Sequence, residues 1–348
     1  MSASQKDVLN IRVYTAHDSV SVFRIDEEKI ASAIARHPHL ADKVNVTLTR
    51  TRSRWGGAPG WSDEDLARFY EEMRDADIFV GYQFPRENLK KVAPNLKWIH
   101  IIGAGIEHLH PLSWLPDDVI LTNNRGAHAP KTCEYAMMAI LMLGNHIPRL
   151  VTAQRESRWD GHFVSVVADE TIAILGAGKQ GSAVAFAAKR LGLRTIGVDV
   201  DPREREHFDR VVPPDERYDV LAQADYVGVT LPLTAETENC FGEKEFAAMK
   251  SDAGFFNISR GKIVDTDALL HALYSGEISG AVLDVFETEP LPPDSPLWSA
   301  PNLVMTPHMG CDDEKNYIHR TLDIVLYNVE RLLAGEPLEN RVDPVRGF

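Results

Sequence analysis

Short apolar runs alternate with longer amphipathic stretches along most of this chain. Ile11–Ala16 and Thr171–Leu175 have the length and composition of buried strands, whereas Ile25–His37 carries apolar residues at the spacing of a helical face. Parallel strands need a crossover connection, usually a helix, so regular alternation of the two is typical of parallel α/β domains. The pattern therefore predicts an α/β protein.

The first third of the chain predicts a small parallel sheet. Its further strands are predicted at Val44–Leu48, Ala76–Val80, Leu96–Ile102 and Val119–Thr122. A helix is predicted to begin after Ser62, because serine is a good N-cap and acidic residues in the first turn suit the helix dipole. The Gly/Pro-rich stretch 51–61, which holds two arginines and two tryptophans, predicts a surface loop.

The rest of the chain predicts a second α/β domain. A buried helix is expected at Lys131–Leu143, a short helix at 218–224, and a last long helix at Asp313–Leu333, followed by the C-cap residue Gly335. Further strands are predicted at Thr195–Asp199, Tyr226–Thr230, Gly254–Asn257, Gly280–Leu283 and Leu303–Thr306. We expect the domain boundaries to give one domain from residues 1–127 and 312–348 and a second from residues 128–311.

A glycine motif follows the strand Thr171–Leu175. Gly176, Gly178 and Gly181 form the pattern G-x-G-x-x-G, and an Ala-rich helical stretch, 182–191, comes next. In this context the first glycine permits a tight turn, the second lets a pyrophosphate approach the backbone, and the third lets helix and strand pack closely. The helix N-terminus adds free N–H groups and partial positive charge. The segment therefore predicts a dinucleotide site.

An acidic residue follows the next strand. Asp199 lies 18 residues after Gly181, where its carboxylate is placed to bond a ribose hydroxyl and to repel a 2′-phosphate. Asp201 adds to the repulsion, whereas Arg203 argues weakly in the other direction. The predicted cofactor is NAD, with NADP less favoured.

Composition and charge narrow the class of protein. The net charge of −14 disfavours binding to nucleic acid or to an anionic membrane surface. Three scattered cysteines, Cys133, Cys240 and Cys311, lack metal-type spacing and fit a reducing compartment. The polar N-terminus does not resemble a secretory signal, and no apolar stretch is long enough to span a bilayer. We expect a cytoplasmic protein that binds a small molecule, with no metal.

Three polar side chains follow three predicted strands of the second domain. Arg260 comes after Gly254–Asn257, Glu289 after Gly280–Leu283, and His308 after Leu303–Thr306. Ligands of parallel α/β sheets bind at the carboxyl ends of the strands, and two such domains facing each other make a cleft. Arginine matches a carboxylate, and histidine exchanges a proton near neutral pH. A carboxylate next to the histidine favours its protonated form. These types suit a 2-keto acid.

Several ordered motifs now resemble the D-isomer-specific 2-hydroxyacid dehydrogenase family. The resemblance covers residues from about 76 to 333. The matching stretches are Leu96–Ile99, Gly103–Ile106, Thr122–Gly126, Glu134–Tyr135, Leu175–Gly181, Leu231–Thr237, Asn257–Asp265, Leu283–Pro290, Pro296–Trp298 and Thr306–His308. The resemblance implies two parallel-sheet domains, a Rossmann dinucleotide-binding domain inserted into a flavodoxin-like substrate domain.

The resemblance also implies roles for individual positions. Arg260 would bind the substrate carboxylate and keto oxygen, His308 would be the acid/base, and Glu289 would be its partner. Backbone N–H groups of Ala104 and Gly105 would bind the substrate carboxylate. The implied cofactor positions besides the three glycines and Asp199 are Lys179 and Gln180 at the pyrophosphate, Leu231, Pro232 and Thr237 at the adenosine, Ile258 and Asp284 at the nicotinamide, and Gly310.

Some neighbouring residues leave alternatives open. Glu287 lies close to Glu289, but its spacing from Asp284 makes it the poorer partner for the histidine. Trp298 is expected to pack rather than to contact substrate, and Cys311 to be a small buried residue. After His308 the chain departs from the family pattern with acids at 312–313, which either raise the histidine pKa or cap the following helix; capping is favoured.

The resemblance implies a reversible reduction of a 2-keto acid to a D-2-hydroxy acid. Within the family, formate dehydrogenases carry Gln at the position of Glu289, which disfavours that branch. Phosphoglycerate dehydrogenases often carry a further C-terminal domain, which we do not expect here because the chain ends soon after its last predicted helix. A glyoxylate/hydroxypyruvate-type or broad 2-keto acid reductase remains, and the alternative is an NAD(H)-sensing, protein-binding module of the corepressor type. The helix at 131–143 and the following Pro148–Trp159 resemble a dimer-forming region, which implies a homodimer.

Overall fold

The computed structural model describes residues 8–16, 19–51, 61–344 and 346–347, and the chain separates into two compact units. Met1–Ala127 and Asp313–Phe348 form the first unit, and His128–Asp312 form the second. Most of the predicted loop at 51–61 lies outside the described residues.

Strands and helices alternate in both units, as the hydrophobic pattern predicts. The strands of the described residues are β1 Leu9–Ala16, β2 Val44–Thr51, β3 Ile78–Gly81, β4 Trp98–Ile101, β5 Ile120–Thr122, β6 Thr171–Leu175, β7 Arg194–Val198, β8 Arg210–Val212, β9 Tyr226–Val229, β10 Gly254–Asn257, β11 Gly280–Leu283 and β12 Leu303–Met305. The helices of the same residues are α1 Glu27–Arg36, α2 Asp63–Glu72, α3 Leu89–Val92, α4 Ala129–Gly144, α5 Ile147–Arg155, α6 Lys179–Arg190, α7 Arg217–Leu221, α8 Glu243–Ala247, α9 Thr266–Ser275 and α10 Tyr317–Ala334.

The first unit holds a five-stranded parallel sheet in the order β2-β1-β3-β4-β5. Every residue of β3 and β4 is buried, because apolar clusters pack on both faces of the sheet. Ser62 caps α2 as predicted: its hydroxyl accepts from the Asp65 N–H, and the Asp65 side chain accepts from the Ser62 N–H. This strand order is that of flavodoxin-like folds.

The second unit holds a seven-stranded parallel sheet in the order β12-β11-β10-β9-β6-β7-β8. The order reverses between β6 and β9, which makes a topological switch point at the carboxyl end of β6. Six of these strands follow the Rossmann order, and β12 extends the sheet at one edge. The predicted fold class is confirmed, because a Rossmann unit interrupts the sequence of a flavodoxin-like unit.

Several element bounds differ from the prediction. Strand β8 was not predicted, because its only apolar residues, Val211 and Val212, lie between Arg210 and two prolines and form no apolar run. Helix α6 begins three residues earlier than predicted, at Lys179, and α10 begins at Tyr317 rather than Asp313. The Asp313 carboxylate accepts from the backbone N–H groups of Lys315 and Asn316, which holds this segment in a turn before the helix.

Within the described ranges, no single helix is long and apolar enough to cross a membrane. Helices α4 and α5 satisfy the length and composition requirement only as a pair, and they are bent by 63° relative to each other.

Candidate active site

The glycine turn lies between β6 and α6, at the switch point of the second unit. Gly176 has φ +96°, a left-handed conformation that side chains rarely adopt. A Cβ at Gly181 would lie 1.9 Å from the Gly176 carbonyl oxygen, so close packing of turn and helix requires glycine there. A Cβ at Gly178 would meet no described atom within 4 Å, which leaves open space in front of the first turn of α6. A pyrophosphate fits such a turn.

Asp199 lies directly after β7 and is bonded to the glycine turn. Its carboxylate accepts from the N–H groups of Ala177 (2.7 Å) and Asp201 (2.9 Å). Arg205, which sequence reasoning missed, donates to the same carboxylate from Nη2 over 3.3 Å, with only 19% of its side chain exposed. Arg203 instead pairs with Asp201, at 3.0 Å, and is largely exposed. Asp199 therefore forms an ion pair with Arg205, which the position of Asp199 in the sequence did not predict.

The remaining predicted cofactor positions of the second unit flank the glycine turn. Lys179 opens α6 and is exposed, whereas the Gln180 side chain donates to the carbonyl of the buried Ile258 (2.9 Å). The Thr237 hydroxyl donates to the Pro232 carbonyl over 2.6 Å. This bond closes the loop after β9, and Leu231, at the start of that loop, packs against the apolar core.

His308 and Glu289 form a close pair. The distance from His308 Nδ1 to Glu289 Oε2 is 2.6 Å, and the other carboxylate oxygen accepts from the Phe286 N–H over 2.9 Å. His308 has φ +49°, and its N–H donates to the Asp284 carbonyl. The hydrogen bond to Glu289 raises the pKa of His308. Although burial opposes it, the bond from His308 lowers the pKa of Glu289. The nearby Glu287 is exposed.

Arg260 follows β10 and lies near this pair. Its positive charge adds to the lowering of the Glu289 pKa and opposes part of the rise in the His308 pKa. In both cases other contacts have larger effects. The Arg260 Nη1 donates to the Ser259 carbonyl over 2.7 Å. A Cβ at Gly261 would lie 1.8 Å from the Phe286 carbonyl carbon, so the loops after β10 and β11 are in backbone contact. This contact brings the arginine and the glutamate to the same edge of the sheet.

Asp284 holds the turn that carries His308. Its carboxylate, in a residue only 2% exposed, accepts from the Thr306 hydroxyl (2.6 Å) and from the Met309 and Gly310 N–H groups (3.1 and 3.0 Å). Burial raises the pKa of Asp284. A Cβ at Gly310 would lie 2.3 Å from the Tyr135 ring, whose hydroxyl is 2.6 Å from the Thr306 hydroxyl. Neither Thr306 nor Tyr135 was given a role from the sequence.

Ala104 and Gly105 follow β4 in the first unit. The Asn123 side-chain amide donates to the Ala104 carbonyl over 2.8 Å, and the Asn124 N–H donates to the Gly103 carbonyl over 3.0 Å. Strand β5 therefore fixes the backbone of this turn through the two asparagines that follow it. Asn123 and Asn124 were part of a matching motif, but the sequence does not show which backbone groups they bond.

Of two expectations about neighbouring residues, the one for Trp298 differs from the structure and the one for Cys311 agrees with it in part. Trp298 is 53% exposed rather than packed, because the adjacent Leu297 fills the core instead. Cys311 is partly buried, and burial raises the pKa of its thiol to about 11. A thiol with this pKa is protonated at neutral pH and is a poor nucleophile.

The second unit thus brings a histidine–carboxylate pair, an arginine and a glycine-rich turn to the carboxyl ends of one sheet. The pair can hold and release a proton, and the arginine can stabilise negative charge. A dinucleotide fits the open space at Gly178, where a helix begins and the backbone lacks side chains.

Comparisons with known proteins agree with this geometry. Residues 137–310 match the model of the D-isomer specific 2-hydroxyacid dehydrogenase NAD-binding domain. A glyoxylate reductase of Korarchaeum cryptofilum is 30% identical over 297 residues, which cover 81% of this chain and 88% of that protein. A D-3-phosphoglycerate dehydrogenase of Methanocaldococcus jannaschii is 31% identical over 82% of this chain, but the match spans only about half of that relative, 55% of its length.

A solved structure extends the similarity to the whole described fold. The D-isomer specific 2-hydroxyacid dehydrogenase from Xanthobacter autotrophicus Py2, in complex with NADPH and MES, matches with a TM-score of 0.78. It is 29% identical, and the match covers 97% of this chain and 99% of that one.

Proposed function

The chain belongs to the D-isomer-specific 2-hydroxyacid dehydrogenase family, and from this premise we propose that it reduces a 2-keto acid reversibly to a D-2-hydroxy acid. The observation that carries the proposal is the His308–Glu289 pair, 2.6 Å apart, with Arg260 on the neighbouring strand end. These are the groups needed to move one proton and to bind one carboxylate.

His308 acts as the acid in the direction of reduction. Its Nδ1 is held by Glu289, which leaves Nε2 to donate a proton to the substrate C2 oxygen. The raised pKa, caused mainly by the hydrogen bond to Glu289, favours the protonated ring before that transfer. The nicotinamide, when bound, supplies the hydride. The reaction leaves His308 neutral, and the reverse reaction returns the proton to the same nitrogen.

Arg260 binds the substrate carboxylate and stabilises the charge that develops on the C2 oxygen. A guanidinium presents several donors in one plane, which suits an oxygen pair on adjacent carbons. A role for the backbone N–H groups of Ala104 and Gly105 in substrate binding stays a prediction of the sequence. Asp284 positions the histidine through the turn it holds, because its carboxylate bonds three groups within 306–310.

NAD is proposed as the preferred cofactor, bound at Gly176, Gly178 and Gly181. Asp199 supports this preference, because a carboxylate next to the adenosine ribose repels a 2′-phosphate. Arg205 offsets part of that charge, and the similar Xanthobacter enzyme was crystallised with NADPH. We therefore expect binding of NADPH to be weaker than binding of NADH rather than abolished.

The proposed substrate is a small 2-keto acid of the glyoxylate or hydroxypyruvate type. The similar Korarchaeum protein is a glyoxylate reductase whose length this chain nearly spans, whereas the matching phosphoglycerate dehydrogenase is much longer than the match.

The experiment follows nicotinamide absorbance while the protein is mixed with a panel of 2-keto acids, once with NADH and once with NADPH. The proposal expects oxidation of NADH by at least one short 2-keto acid. Tight NADH binding without reduction of any acid would instead support the NAD(H)-sensing alternative, in which the same unit binds a protein partner.

A homodimer is also proposed. The segment after α5 exposes large apolar side chains: Trp159 and Phe163 are each 99% exposed, and Val166 is 79% exposed. Exposed apolar patches commonly mark interaction surfaces, so a second copy of the chain is the proposed cover.

A further inference from the structure

Two histidines and a glutamate form a compact cluster in the first unit. His37 follows α1, His39 lies in the short 3-10 helix Pro38–Leu40, and Glu330 lies on α10. Glu330 Oε1 is 3.2 Å from His37 Nδ1 and 2.7 Å from His39 Nε2. One atom from each side chain lies within 4.8 Å of the other two, so the three converge on one point.

The spacing of these atoms resembles the ligand shell of a small divalent cation. Nitrogen and oxygen ligands lie about 2.0–2.2 Å from zinc, which separates neighbouring ligands of a tetrahedron by about 3.3 Å. The observed separation from His37 to Glu330 is already 3.2 Å. The separation from His39 is 2.7 Å, and the side chain of His39 is 60% exposed, so it has room to move outward. Entry of a cation thus needs only a small adjustment.

The second nitrogen of His37 also faces a carboxylate. His37 Nε2 is 3.5 Å from Asp323 Oδ1, and the same oxygen accepts from Arg36 Nη2 over 2.7 Å. Histidine ligands commonly present their other ring N–H to a carboxylate, which fixes the tautomer that leaves the ligating nitrogen free. Asp323 lies about two turns before Glu330 on α10, so a single helix supplies both the ligand and this supporting carboxylate.

We propose that His37, His39 and Glu330 bind a late first-row divalent cation, with zinc as the reference ion. Two imidazoles and one carboxylate suit zinc, and the exposure of His39 leaves a fourth position for water. The single carboxylate ligand reduces the charge of the cation, while Asp323 is balanced by Arg36. The site lies in the first unit and uses none of the residues assigned to the reaction.

A bound cation would join the segment that follows α1 to α10. These two helices belong to distant parts of the sequence but pack in the same apolar core. A ligand that binds only the folded chain stabilises it by mass action. Zinc is therefore expected to raise the unfolding temperature of the protein, whether or not a dinucleotide is present.

The test is a calorimetric titration of zinc chloride into the metal-stripped full chain, which carries no polyhistidine tag, and it measures the heat of binding. One saturable site per chain of micromolar affinity or better is expected. His39→Ala should weaken this site by about tenfold or more, and His37→Ala and Glu330→Gln should do the same. Because the His39 side chain is 60% exposed, we expect its variant to fold, and it decides the result even if another variant does not fold.

The matched control replaces a histidine pair elsewhere. His146 and His162 have ring centroids 4.9 Å apart in the second unit, and changing both to alanine should leave the zinc site intact. The proposal is overturned if wild type shows no saturable site, or if zinc binds the His39→Ala variant as well as wild type. The proposal is also overturned if zinc raises the unfolding temperature of wild type and of the His39→Ala variant equally.

Discussion

At the scale of single residues, the proposed reaction depends on the hydrogen bond between His308 and Glu289. The glutamate raises the pKa of the histidine, and the Phe286 N–H fixes the other carboxylate oxygen. Reduction requires protonated His308, so its rate falls as pH rises through the histidine pKa. A partner that raises this pKa extends reduction to higher pH.

Glu289→Gln tests this dependence. The amide keeps the shape but removes the charge, so the pKa of His308 falls and the decline of kcat/KM for reduction moves to lower pH. At neutral pH we expect a loss of roughly tenfold to a hundredfold, the usual weight of one hydrogen bond to a charged group. The measurement is a pH profile of NADH oxidation. The exposed Glu287→Gln is the control and should keep the wild-type profile; an unshifted profile in Glu289→Gln contradicts the pairing.

At this scale the sequence selects candidate site residues where residue type and strand end coincide. Arg260, Glu289 and His308 could be selected because each follows a strand. Arg205 could not, because its ion pair with Asp199 depends on how the loop after β7 folds back. The hydrogen bonds from the His308 turn to the Asp284 carboxylate were not predicted for the same reason, because the donors lie 22 or more residues away in the sequence.

At the scale of elements, the β6–α6 turn separates packing from binding. Gly178 and Gly181 lie three residues apart. A Cβ at Gly181 would overlap the Gly176 carbonyl, whereas a Cβ at Gly178 would meet no described atom within 4 Å. The motif alone assigns both to one dinucleotide site. The structure shows that one glycine allows the turn to pack against the helix and the other leaves the space open.

Gly181→Ala and Gly178→Ala therefore have different expected outcomes. Gly181→Ala should lower the free energy of unfolding by about 2 kcal/mol or more, because overpacking forces the backbone apart. Gly178→Ala should change it by less than about 1 kcal/mol but should weaken NADH binding, because the methyl group enters the space proposed for the pyrophosphate. Denaturant unfolding and NADH fluorescence titration measure the two effects. Equal loss of stability in both variants would contradict this separation.

Element positions were predictable where a run of apolar residues is bounded by polar residues or glycine. β6, β10 and β11 have the predicted bounds, because each is a short apolar run closed by polar or glycine residues. The start of α10 was misplaced, because the Asp313 turn is a local side-chain effect that interrupts an otherwise helical pattern. Strand β8 was missed because only Val211 and Val212 are apolar there, between a charged residue and two prolines.

At the scale of the whole molecule, exposed apolar side chains indicate a partner. Trp159 and Phe163 lie together in the irregular segment after α5 and are almost completely exposed. A soluble monomer rarely leaves two large aromatic side chains in water within five residues, so we expect a second copy to cover them. The hydrophobic pattern marked α4 but gave no sign that the exposure would fall after α5.

The double variant Trp159→Asp/Phe163→Asp should convert a dimer to a monomer. Two carboxylates at a buried interface would be left desolvated and unpaired. Light scattering should give about half the wild-type mass, close to the 38.8 kDa of one chain. Tyr274→Asp, at a residue 62% exposed on α9, is the control and should leave the mass unchanged. A monomeric wild type, or a variant that stays dimeric, would show that this segment is not the interface.

The proposed reaction requires that His308 transfers the proton in reduction of a 2-keto acid. The most direct test compares wild type with His308→Gln in steady-state oxidation of NADH by a short 2-keto acid, with NADH affinity measured in parallel. We predict that the variant loses at least roughly a hundredfold in kcat while its affinity for NADH stays within twofold, about the scatter of such titrations. A variant that turns over at the wild-type rate would contradict the account.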